Sequence, residues 1–356
     1  MAIPNRLLTF KGHRDSVNTL LCEEGVHPNL LASGGDDGTC RLWDLRTAKV
    51  TKCFNVKKAL GTEDVSESAI NSLAFGKAST CEDSAYIYVA AGDKILTFDV
   101  RNPALIVECA DRAIFQHNDD EINVLSRHSG KSGKYLSVPD DSGNICVYDI
   151  ENHGLFKILK GQHTNICSAA PFRPTAPWDL VSGGMDGLLL FWDFFRGRVK
   201  YSIDLNADVD ELCSTSQQIF NPPLVHSLAF APNGRSFVAG LGDASVAVVN
   251  FSSRQIVRRL KRHAAMVSQV HFPAFCPEDR LVSTANDAKV CIWNYQAAFS
   301  APEVDNINYE NDLASNSMIL LEFSVKASPN AITTTSKQNM IVVADSSKEI
   351  SAYFVR

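Results

Sequence analysis

The sequence predicts an all-β fold in which seven small sheets close into a ring. Three observations support this prediction. The stretch LLASGGDDGTCRLWDLR at 30–46 has the composition of a β-hairpin, and related stretches recur along the 356 residues. The last copy stops at the end of the chain before an outer strand, and the chain begins with a strand, residues 6–10, that belongs to no copy.

The first copy is a hairpin by its local chemistry. Leu30, Leu31 and Ala32 form an apolar run, and residues 33–38 supply a turn that tolerates positive backbone angles. Apolar and polar residues then alternate up to Asp44, and a Gly-His pair lies 18 residues before Leu30, at Gly12. A sheet this small leaves two apolar faces open, so the copies are expected to pack against one another.

The pattern recurs six more times with varying fidelity. Two copies, VSGGMDGLLLFWD and VSTANDAKVCIWN, keep the spacing of the first, with Asp four residues after Ser and Trp six residues after Asp. The seven residues at the Trp position follow one another at intervals of 44 to 60 residues and are Trp43, Phe98, Tyr148, Trp192, Val249, Trp293 and Tyr353. These intervals predict one four-stranded sheet per copy, lengthened by insertions.

The final sheet needs an outer strand from elsewhere, because its copy ends at Arg356. Residues 6–10, in NRLLTFKGH, match the strand that precedes a Gly-His pair, so we expect them to complete the last sheet and close the ring. Closure removes the open strand edges that invite aggregation. Continuous repeats predict a single domain over 1–356.

Charge and composition limit the functions that we expect. The formal net charge of −6 argues against a nucleic-acid surface, and the basic run at 258–263 is interpreted as a solvated outer strand. No apolar run approaches the roughly 20 residues that span a bilayer, and the start MAIPNRLL lacks the apolar segment of a signal peptide. The ten cysteines are dispersed and form no C-x-x-C pair. We expect a monomeric protein that is cytoplasmic, nuclear or both.

Catalytic motifs are absent from the sequence. It has no G-x-S-x-G, no phosphate-binding glycine loop and no H-E-x-x-H. The acidic cluster at 119–121 is interpreted as a solvated turn before a strand that begins at Ile122, and Phe75, Phe230 and Phe272 as core between sheets rather than as a cage for a modified peptide. We therefore expect no enzyme activity, no cofactor and no metal site.

The spacing from Gly-His through Ser to Trp-Asp resembles the WD40-repeat family. The resemblance implies a seven-bladed β-propeller that holds protein partners. It also implies a buried hydrogen-bonded network in each complete copy, because a buried Asp needs donors such as a His ring. The network residues would be His13, Ser33, Asp37 and Trp43; His163, Ser182, Asp186 and Trp192; and His263, Ser283, Asp287 and Trp293.

The end of the first copy, WDLR at 43–46, is similar to the DWD box of substrate receptors of cullin-4 ubiquitin ligases. The resemblance implies that Trp43, Asp44 and Arg46 bind the ligase adaptor, the large subunit of the damage-specific DNA-binding protein. A degenerate second copy ends on Arg101, which is expected beside Arg46 on the same face. The sequence departs from many such receptors in having about five residues, and no helical segment, before its first strand.

Another interpretation of the WDLR sequence remains open. Many propellers carry a WD-x-R by chance, so Arg46 is also compatible with an ordinary turn residue. The protein would then be a general WD40 scaffold, or a propeller that binds peptides, without a link to a ligase.

Two long connections and four short strings complete the sequence analysis. The connection at 206–223 is a candidate substrate loop on the face opposite Arg46, or a tolerated insertion, with candidate residues Asp208, Asp210, Glu211 and Phe220. The connection at 295–317 is interpreted as a mobile linker on the face of Arg46. The strings DDEINVL, PDDSGNICVYDIEN, HTNICSAAPFRP and FNPPLVHSLAF resemble one branch of the family whose members are grouped with candidate cullin-4 receptors.

Overall fold

Seven sheets follow one another around a ring in the computed structural model of the chain. The structure describes residues 6–22, 29–62, 64–76, 86–111, 114–128, 133–207, 221–300, 317–337 and 339–355. The fold is a seven-bladed β-propeller, which confirms the predicted all-β class. The assignment of 1–356 to a single domain stays a prediction.

The blades are numbered 1 to 7 in chain order. Blade 1 contains β2 (Val17–Leu21), β3 (Leu30–Gly35), β4 (Thr39–Asp44) and β5 (Lys49–Asn55), and blade 2 contains β6 (Ile70–Phe75), β7 (Tyr86–Ala91) and β8 (Lys94–Asp99). Blade 3 contains β10 (Ser126–Arg127), β11 (Tyr135–Pro139), β12 (Ile145–Asp149) and β13 (Gly154–Leu159), and blade 4 contains β14 (Cys167–Ala169), β15 (Asp179–Gly184), β16 (Leu188–Asp193) and β17 (Arg198–Asp204).

Blades 5, 6 and 7 each have a four-stranded sheet. Blade 5 contains β18 (Val225–Phe230), β19 (Ser236–Leu241), β20 (Ser245–Asn250) and β21 (Gln255–Lys261), and blade 6 contains β22 (Val267–His271), β23 (Arg280–Ala285), β24 (Lys289–Asn294) and β25 (Ile319–Ser324). Blade 7 contains β26 (Pro329–Thr335), β27 (Met340–Asp345), β28 (Glu349–Phe354) and β1 (Arg6–Lys11).

Blade 7 is completed by the first strand of the chain, as predicted. β1 pairs antiparallel with β28, with Phe10 opposite Ile350. An ion pair of 3.0 Å between Lys11 Nζ and Glu349 Oε1 lies at the end of this pairing. Phe10 is fully buried, and its ring lies edge-on to Trp43 of blade 1 with centroids 5.7 Å apart. The closing strand therefore joins the last blade to the first through the core.

The strand register confirms the alignment of the seven copies. In every blade, the residue at the Trp position is the partner of an apolar residue on the preceding strand. The pairs are Trp43 with Leu31, Phe98 with Ile87, Tyr148 with Leu136, Trp192 with Leu180, Val249 with Phe237, Trp293 with Leu281 and Tyr353 with Ile341. The apolar faces of neighbouring blades pack against one another, as between Phe54 of blade 1 and Phe98 of blade 2, whose centroids are 4.9 Å apart.

Blade 2 departs from the predicted four strands. Among the residues that the structure describes, its sheet has three strands, and the chain after β8 crosses to blade 1, where β9 (Ile106–Val107) adds a fifth strand parallel to β5. The amide of Cys53 donates to the carbonyl of Leu105 at 2.9 Å, and Lys52 Nζ donates to the carbonyl of Val100 at 2.7 Å. Phe115 then pairs with Ile95 as an isolated bridge on the open side of β8.

Two further expectations were wrong. Ile122 does not begin a strand: it forms an isolated bridge with Asp140, and the inner strand of blade 3 is the two-residue β10. The start of the 295–317 connection is not a mobile linker, because it forms helix Tyr295–Ser300, in which Tyr295 and Ala298 are buried in the core of blades 5 and 6. Residues 301–316 lie outside the described part of the chain.

Two short helices connect blades 1 and 2. α1 spans Val56–Leu60 and α2 spans Val65–Ser68, and the helix Tyr295–Ser300 is α3. Asn55 caps α1 by accepting from the amide of Lys58, and Asp64 caps α2 by accepting from the amide of Ser66. These helices connect β5 to β6, and the amide of Val56 donates to the carbonyl of Gly38 in the turn between β3 and β4 at 2.9 Å.

Candidate partner-binding surface

The four network residues of blade 1 lie in one hydrogen-bonded chain. His13 Nε2 lies 2.7 Å from Ser33 Oγ, and the indole N–H of Trp43 donates to the same hydroxyl at 2.7 Å. The other ring nitrogen of His13, Nδ1, lies 3.0 Å from Asp37 Oδ2. Ser33 and Trp43 are fully buried. The hydrogen-bonded network thus links the loop that contains His13, strands β3 and β4, and the turn at Asp37.

Asp37 is the charged member of this chain. Burial would raise the pKa of its carboxyl, but hydrogen bonds from His13, the charge interaction with His13 and hydrogen bonds from Arg14 and Thr39 outweigh burial and lower the pKa to about 2. The amide of Arg14 donates at 2.9 Å and the hydroxyl of Thr39 at 2.7 Å. A carboxylate with this many donors locks the turn.

Blades 4 and 6 repeat the arrangement. His163 Nε2 lies 2.8 Å from Ser182 Oγ, and Trp192 donates to that hydroxyl at 2.8 Å. In blade 6 the corresponding distances from Ser283 Oγ, to His263 Nε2 and to Trp293 Nε1, are both 2.8 Å. Burial would raise the pKa of Asp186 and of Asp287, but the hydrogen bond and charge interaction with the paired His and the backbone hydrogen bonds together outweigh burial and lower the pKa of each carboxyl. The geometry gives all three networks a structural role.

Blade 3 contains a substitute network that sequence reasoning missed. Asn118 takes the place of His, and its Nδ2 donates to Asp140 Oδ2 at 3.0 Å. The hydroxyl of Tyr148 donates to Asn118 Oδ1 at 3.1 Å. Asp140, which is fully buried, also accepts from the hydroxyl of Ser142 at 2.5 Å. The aspartate lies two positions earlier than in the complete copies, and the signal that indicates it is the Asp-Ser-Gly turn before Tyr148.

Arg46 and Asp44 form an exposed forked ion pair after β4. Arg46 Nε donates to Asp44 Oδ1 at 2.9 Å, Nη2 donates to Oδ2 at 2.6 Å, and the Arg46 amide donates to Oδ1 at 2.9 Å. The hydrogen bond with Arg46 lowers the pKa of Asp44 to about 2 and raises the pKa of Arg46. The guanidinium is 64% exposed, so it stays open to a partner while its orientation is fixed.

Arg101 repeats this geometry in blade 2. Its Nη2 donates to Asp99 Oδ2 at 2.8 Å, its amide donates to Asp99 Oδ1 at 2.8 Å, and its guanidinium lies 5.9 Å from the ring centroid of Tyr86. Asp44 and Asp99 both end the third strand of a blade, so the two arginines follow equivalent positions on neighbouring blades. We call Arg46, Arg101 and their aspartates the paired-arginine surface.

Trp43 has a different role from the one assigned with Arg46. Trp43 is fully buried, so it has no surface to offer a partner and instead stabilises the end of β4. Asp44 acts mainly on Arg46, since its side chain is 18% exposed. The candidate loop residues Asp208, Asp210, Glu211 and Phe220 lie outside the described residues.

The described ends of the 206–223 connection fix where it leaves the propeller. The amide of Leu205 donates to the carbonyl of Gly187 at 3.0 Å, and Asn206 Nδ2 donates to the carbonyl of Asp186 at 3.2 Å. This turn lies at the opposite end of β16 from Asp193, which corresponds to Asp44 of blade 1. The connection therefore starts on the face opposite the paired-arginine surface.

Three members of the charged runs noted in the sequence form ion pairs. Arg259 donates to Asp243 Oδ2 at 3.1 Å, Arg262 to Glu322 Oε2 at 2.5 Å, and Asp119 accepts from Lys160 at 2.7 Å. His263 belongs to the buried network of blade 6.

Within the described ranges, no three His, Cys, Asp or Glu side chains are grouped to hold a metal ion. The helices in those ranges are all too short or too polar to cross a membrane.

Three segments of the chain match the family model described as "WD domain, G-beta repeat": residues 4–44, 154–193 and 254–294. They end on Asp44, Asp193 and Asn294, so they cover the blades with complete networks. Together with the geometry of the ring, these matches define the class of protein as a WD40-repeat β-propeller, a scaffold for protein interactions.

Similar proteins narrow the identity further. The chain is 30% identical over 358 residues to "WD repeat-containing protein 53 homolog" of Dictyostelium discoideum, covering 95% of this chain and 91% of that protein. By this match, the chain belongs to the family of WD repeat-containing protein 53, the branch indicated by the four short strings.

Two other matches are more distant. Apoptotic protease-activating factor 1 of Mus musculus is 24% identical over 295 residues, which are 75% of this chain and 22% of that protein. Small ribosomal subunit protein RACK1y of Oryza sativa subsp. japonica is 27% identical over 118 residues, which are 33% of this chain and 30% of that protein. The chain thus matches a small part of the length of either protein.

Proposed function

We propose that this protein is a substrate receptor of a cullin-4 ubiquitin ligase and binds the ligase adaptor, the large subunit of the damage-specific DNA-binding protein. The observation that supports the proposal is the paired-arginine surface. Arg46 and Arg101 are exposed, follow equivalent strands of neighbouring blades and are each held by an aspartate two residues earlier. Planar guanidinium groups are enriched where interfaces concentrate their binding energy.

The ion pairs prepare these arginines for binding. An arginine side chain normally loses rotamer freedom when a partner fixes it, and that loss opposes association. Here Asp44 and Asp99 already hold the guanidinium groups through two contacts each. Because each aspartate balances the charge of its arginine, we expect the adaptor to supply hydrogen-bond acceptors rather than a dense negative patch.

The connection between blades 1 and 2 supports a common surface for the two arginines. Lys52 on β5 donates to the carbonyls of Val100 and Asn102, the residues on either side of Arg101. β9 then pairs with β5 beyond this point. These contacts tie the turn of Arg101 to blade 1, the blade that carries Arg46.

A pull-down of the adaptor tests the proposal. We expect wild-type protein to bind, Arg46→Ala to bind more weakly, and Arg46→Ala combined with Arg101→Ala to lose binding, with circular dichroism showing that each variant is folded. Arg196→Ala is the matched control, because Arg196 follows Trp192-Asp193 in blade 4 and is also 64% exposed.

The control separates a specific contact from general loss of charge. Arg196→Ala should bind the adaptor as wild type does, since it lies three blades from Arg46. Wild-type protein that fails to bind, or a double variant that binds normally, would contradict the ligase role and leave a WD40 scaffold with other partners. The role of the 206–223 connection in substrate binding stays a prediction. The location of the protein in the cytoplasm, the nucleus or both also stays a prediction.

A further inference from the structure

Blades 3 and 4 share an exposed aromatic surface that the blade networks do not use. Trp178 and Phe195 have ring centroids 4.6 Å apart, and 37% and 51% of their surfaces are exposed. Behind them lie the buried Tyr135 and Phe194 and the half-buried Phe156. Contiguous exposed apolar surface marks sites of interaction on soluble proteins. We call these five residues the aromatic face.

Hydrogen bonds hold the backbone of both exposed residues, and their rings pack against Phe194 and Phe156. Trp178 directly follows Pro177, and its carbonyl accepts from the amide of Phe194 at 3.1 Å. The carbonyl of Phe195 accepts from Lys157 Nζ at 2.5 Å. Aromatic anchors that are fixed before binding lose little conformational entropy when a partner arrives.

Around the aromatic face, the cation of each ion pair is more exposed than its carboxylate partner. In three ion pairs the cation is the more exposed partner: Lys134 is 29% exposed and Asp149 11%, Lys200 40% and Asp179 15%, and Arg196 64% and Asp193 10%. Lys157 adds a fourth cation, while Glu151 is an exposed carboxylate in the neighbouring turn of blade 3. The outward charge is therefore positive in a chain whose formal net charge is −6.

The indole of Trp178 adds a directed donor. Among the described residues, none accepts a hydrogen bond from its N–H. An exposed indole offers an apolar ring together with one N–H, and carboxylates accept strong hydrogen bonds from such donors. The aromatic face thus combines an apolar anchor site, a free donor and a cationic rim.

We propose that the aromatic face binds an acidic segment of a partner protein, which packs an apolar side chain against Trp178 and Phe195. The cations of the rim contact carboxylates on either side of that anchor. Phe195 follows Asp193 as Arg46 follows Asp44, so the aromatic face, on blades 3 and 4, lies on the same end of the ring as the paired-arginine surface, on blades 1 and 2. The proposal does not depend on binding to the ligase adaptor.

The test selects a phage-displayed library of random peptides on the full chain. Enriched peptides should carry Asp or Glu around a Trp, Phe or Leu, and a labelled synthetic copy of the most enriched peptide should bind in fluorescence anisotropy. Trp178→Ser and Phe195→Ser should each weaken its affinity about thirtyfold, as expected for an aromatic anchor. Added salt should weaken it further because the rim is exposed.

Tyr201→Ser is the matched control. Tyr201 is also a large exposed aromatic residue of blade 4, at 39%, but its ring packs against Phe191 and Arg254 on the side of blade 5. Tyr201→Ser and the double variant Arg46→Ala, Arg101→Ala should bind the peptide as wild type does. The second of these keeps this proposal separate from the ligase proposal.

Four outcomes would overturn the proposal. They are a selection without enrichment, enriched peptides that lack acidic residues, equal affinities of wild type and the Trp178→Ser and Phe195→Ser variants, and a wild-type chain that dimerises through this face in sedimentation while Trp178→Ser stays monomeric. Circular dichroism and an unchanged Tm establish that the two serine variants are folded.

Discussion

Blades 1 and 3 stabilise the same turn with different side chains. In blade 1, Asp37 is hydrogen-bonded to the ring of His13, and Trp43 completes the network through Ser33. In blade 3, Asp140 accepts a hydrogen bond from the side-chain amide of Asn118, and the hydroxyl of Tyr148 donates directly to that amide. The position of Ser33 is occupied by Val138, whose carbonyl accepts from Asn118 at 3.1 Å.

The difference teaches what a blade requires. Both blades keep a large aromatic residue opposite a leucine of the preceding strand and a buried carboxylate in the turn, with donors arranged around it. The identity of the donors changes because any well-placed N–H or O–H satisfies a buried carboxylate. Register and satisfied hydrogen bonds are thus the constraint, and the His-Ser-Asp-Trp set is one way to meet it.

The largest effect is expected from removing the aromatic residue at the shared position. Trp43→Ala and Tyr148→Ala should each lower the free energy of unfolding by about 3–5 kcal/mol, because both rings are fully buried and leave a cavity. Equilibrium urea unfolding measures the loss, and Trp178→Ala, which removes a partly exposed Trp, should cost far less. A small loss for Tyr148→Ala would show that blade 3 does not use the position as blade 1 does.

A smaller effect is expected from neutralising the carboxylate of blade 1. Asp37→Asn replaces a charged acceptor of several hydrogen bonds and should cost about 2 kcal/mol at neutral pH. Because the folded pKa of Asp37 is lowered to about 2, its stabilisation is present above its unfolded pKa of about 3.9 and is lost as the pH falls to about 2.

The pH dependence of unfolding checks this second prediction. Chemical unfolding of wild type and Asp37→Asn, followed from neutral pH down to about pH 2, should show the gap between the two proteins closing below about pH 4. A gap that stays constant over this range would mean that the charge of Asp37 does not stabilise the blade.

The smallest effect separates the network of blade 3 from its packing. Tyr148→Phe keeps the ring but removes the hydroxyl that donates to Asn118 Oδ1 and accepts from the amide of His117 at 3.2 Å. The expected loss is about 1 kcal/mol in the free energy of unfolding. Tyr201→Phe, at an exposed position, serves as the control, and equal results for the two variants would contradict a substitute network.

Sequence reasoning succeeded where the signal is local or repeated. The complete networks were found because His, Ser, Asp and Trp keep fixed spacings, and β1 was placed in blade 7 because 6–10 matched the strand before a Gly-His pair. It missed Asn118 and Asp140, since the aspartate is displaced by two positions. It also missed α3, whose buried Tyr295 lies beside Ser236 of another blade.

The sequence by itself determined the number of blades, their register and the closure of the ring, because hydrophobic period and turn chemistry act within one copy. Only the tertiary structure decided which copies share strands and surfaces. The two residues of β9 carry too little pattern to reveal their pairing with β5, and Trp178 and Phe195 meet through packing around Phe194. Such contacts depend on how whole blades pack, which no local spacing encodes.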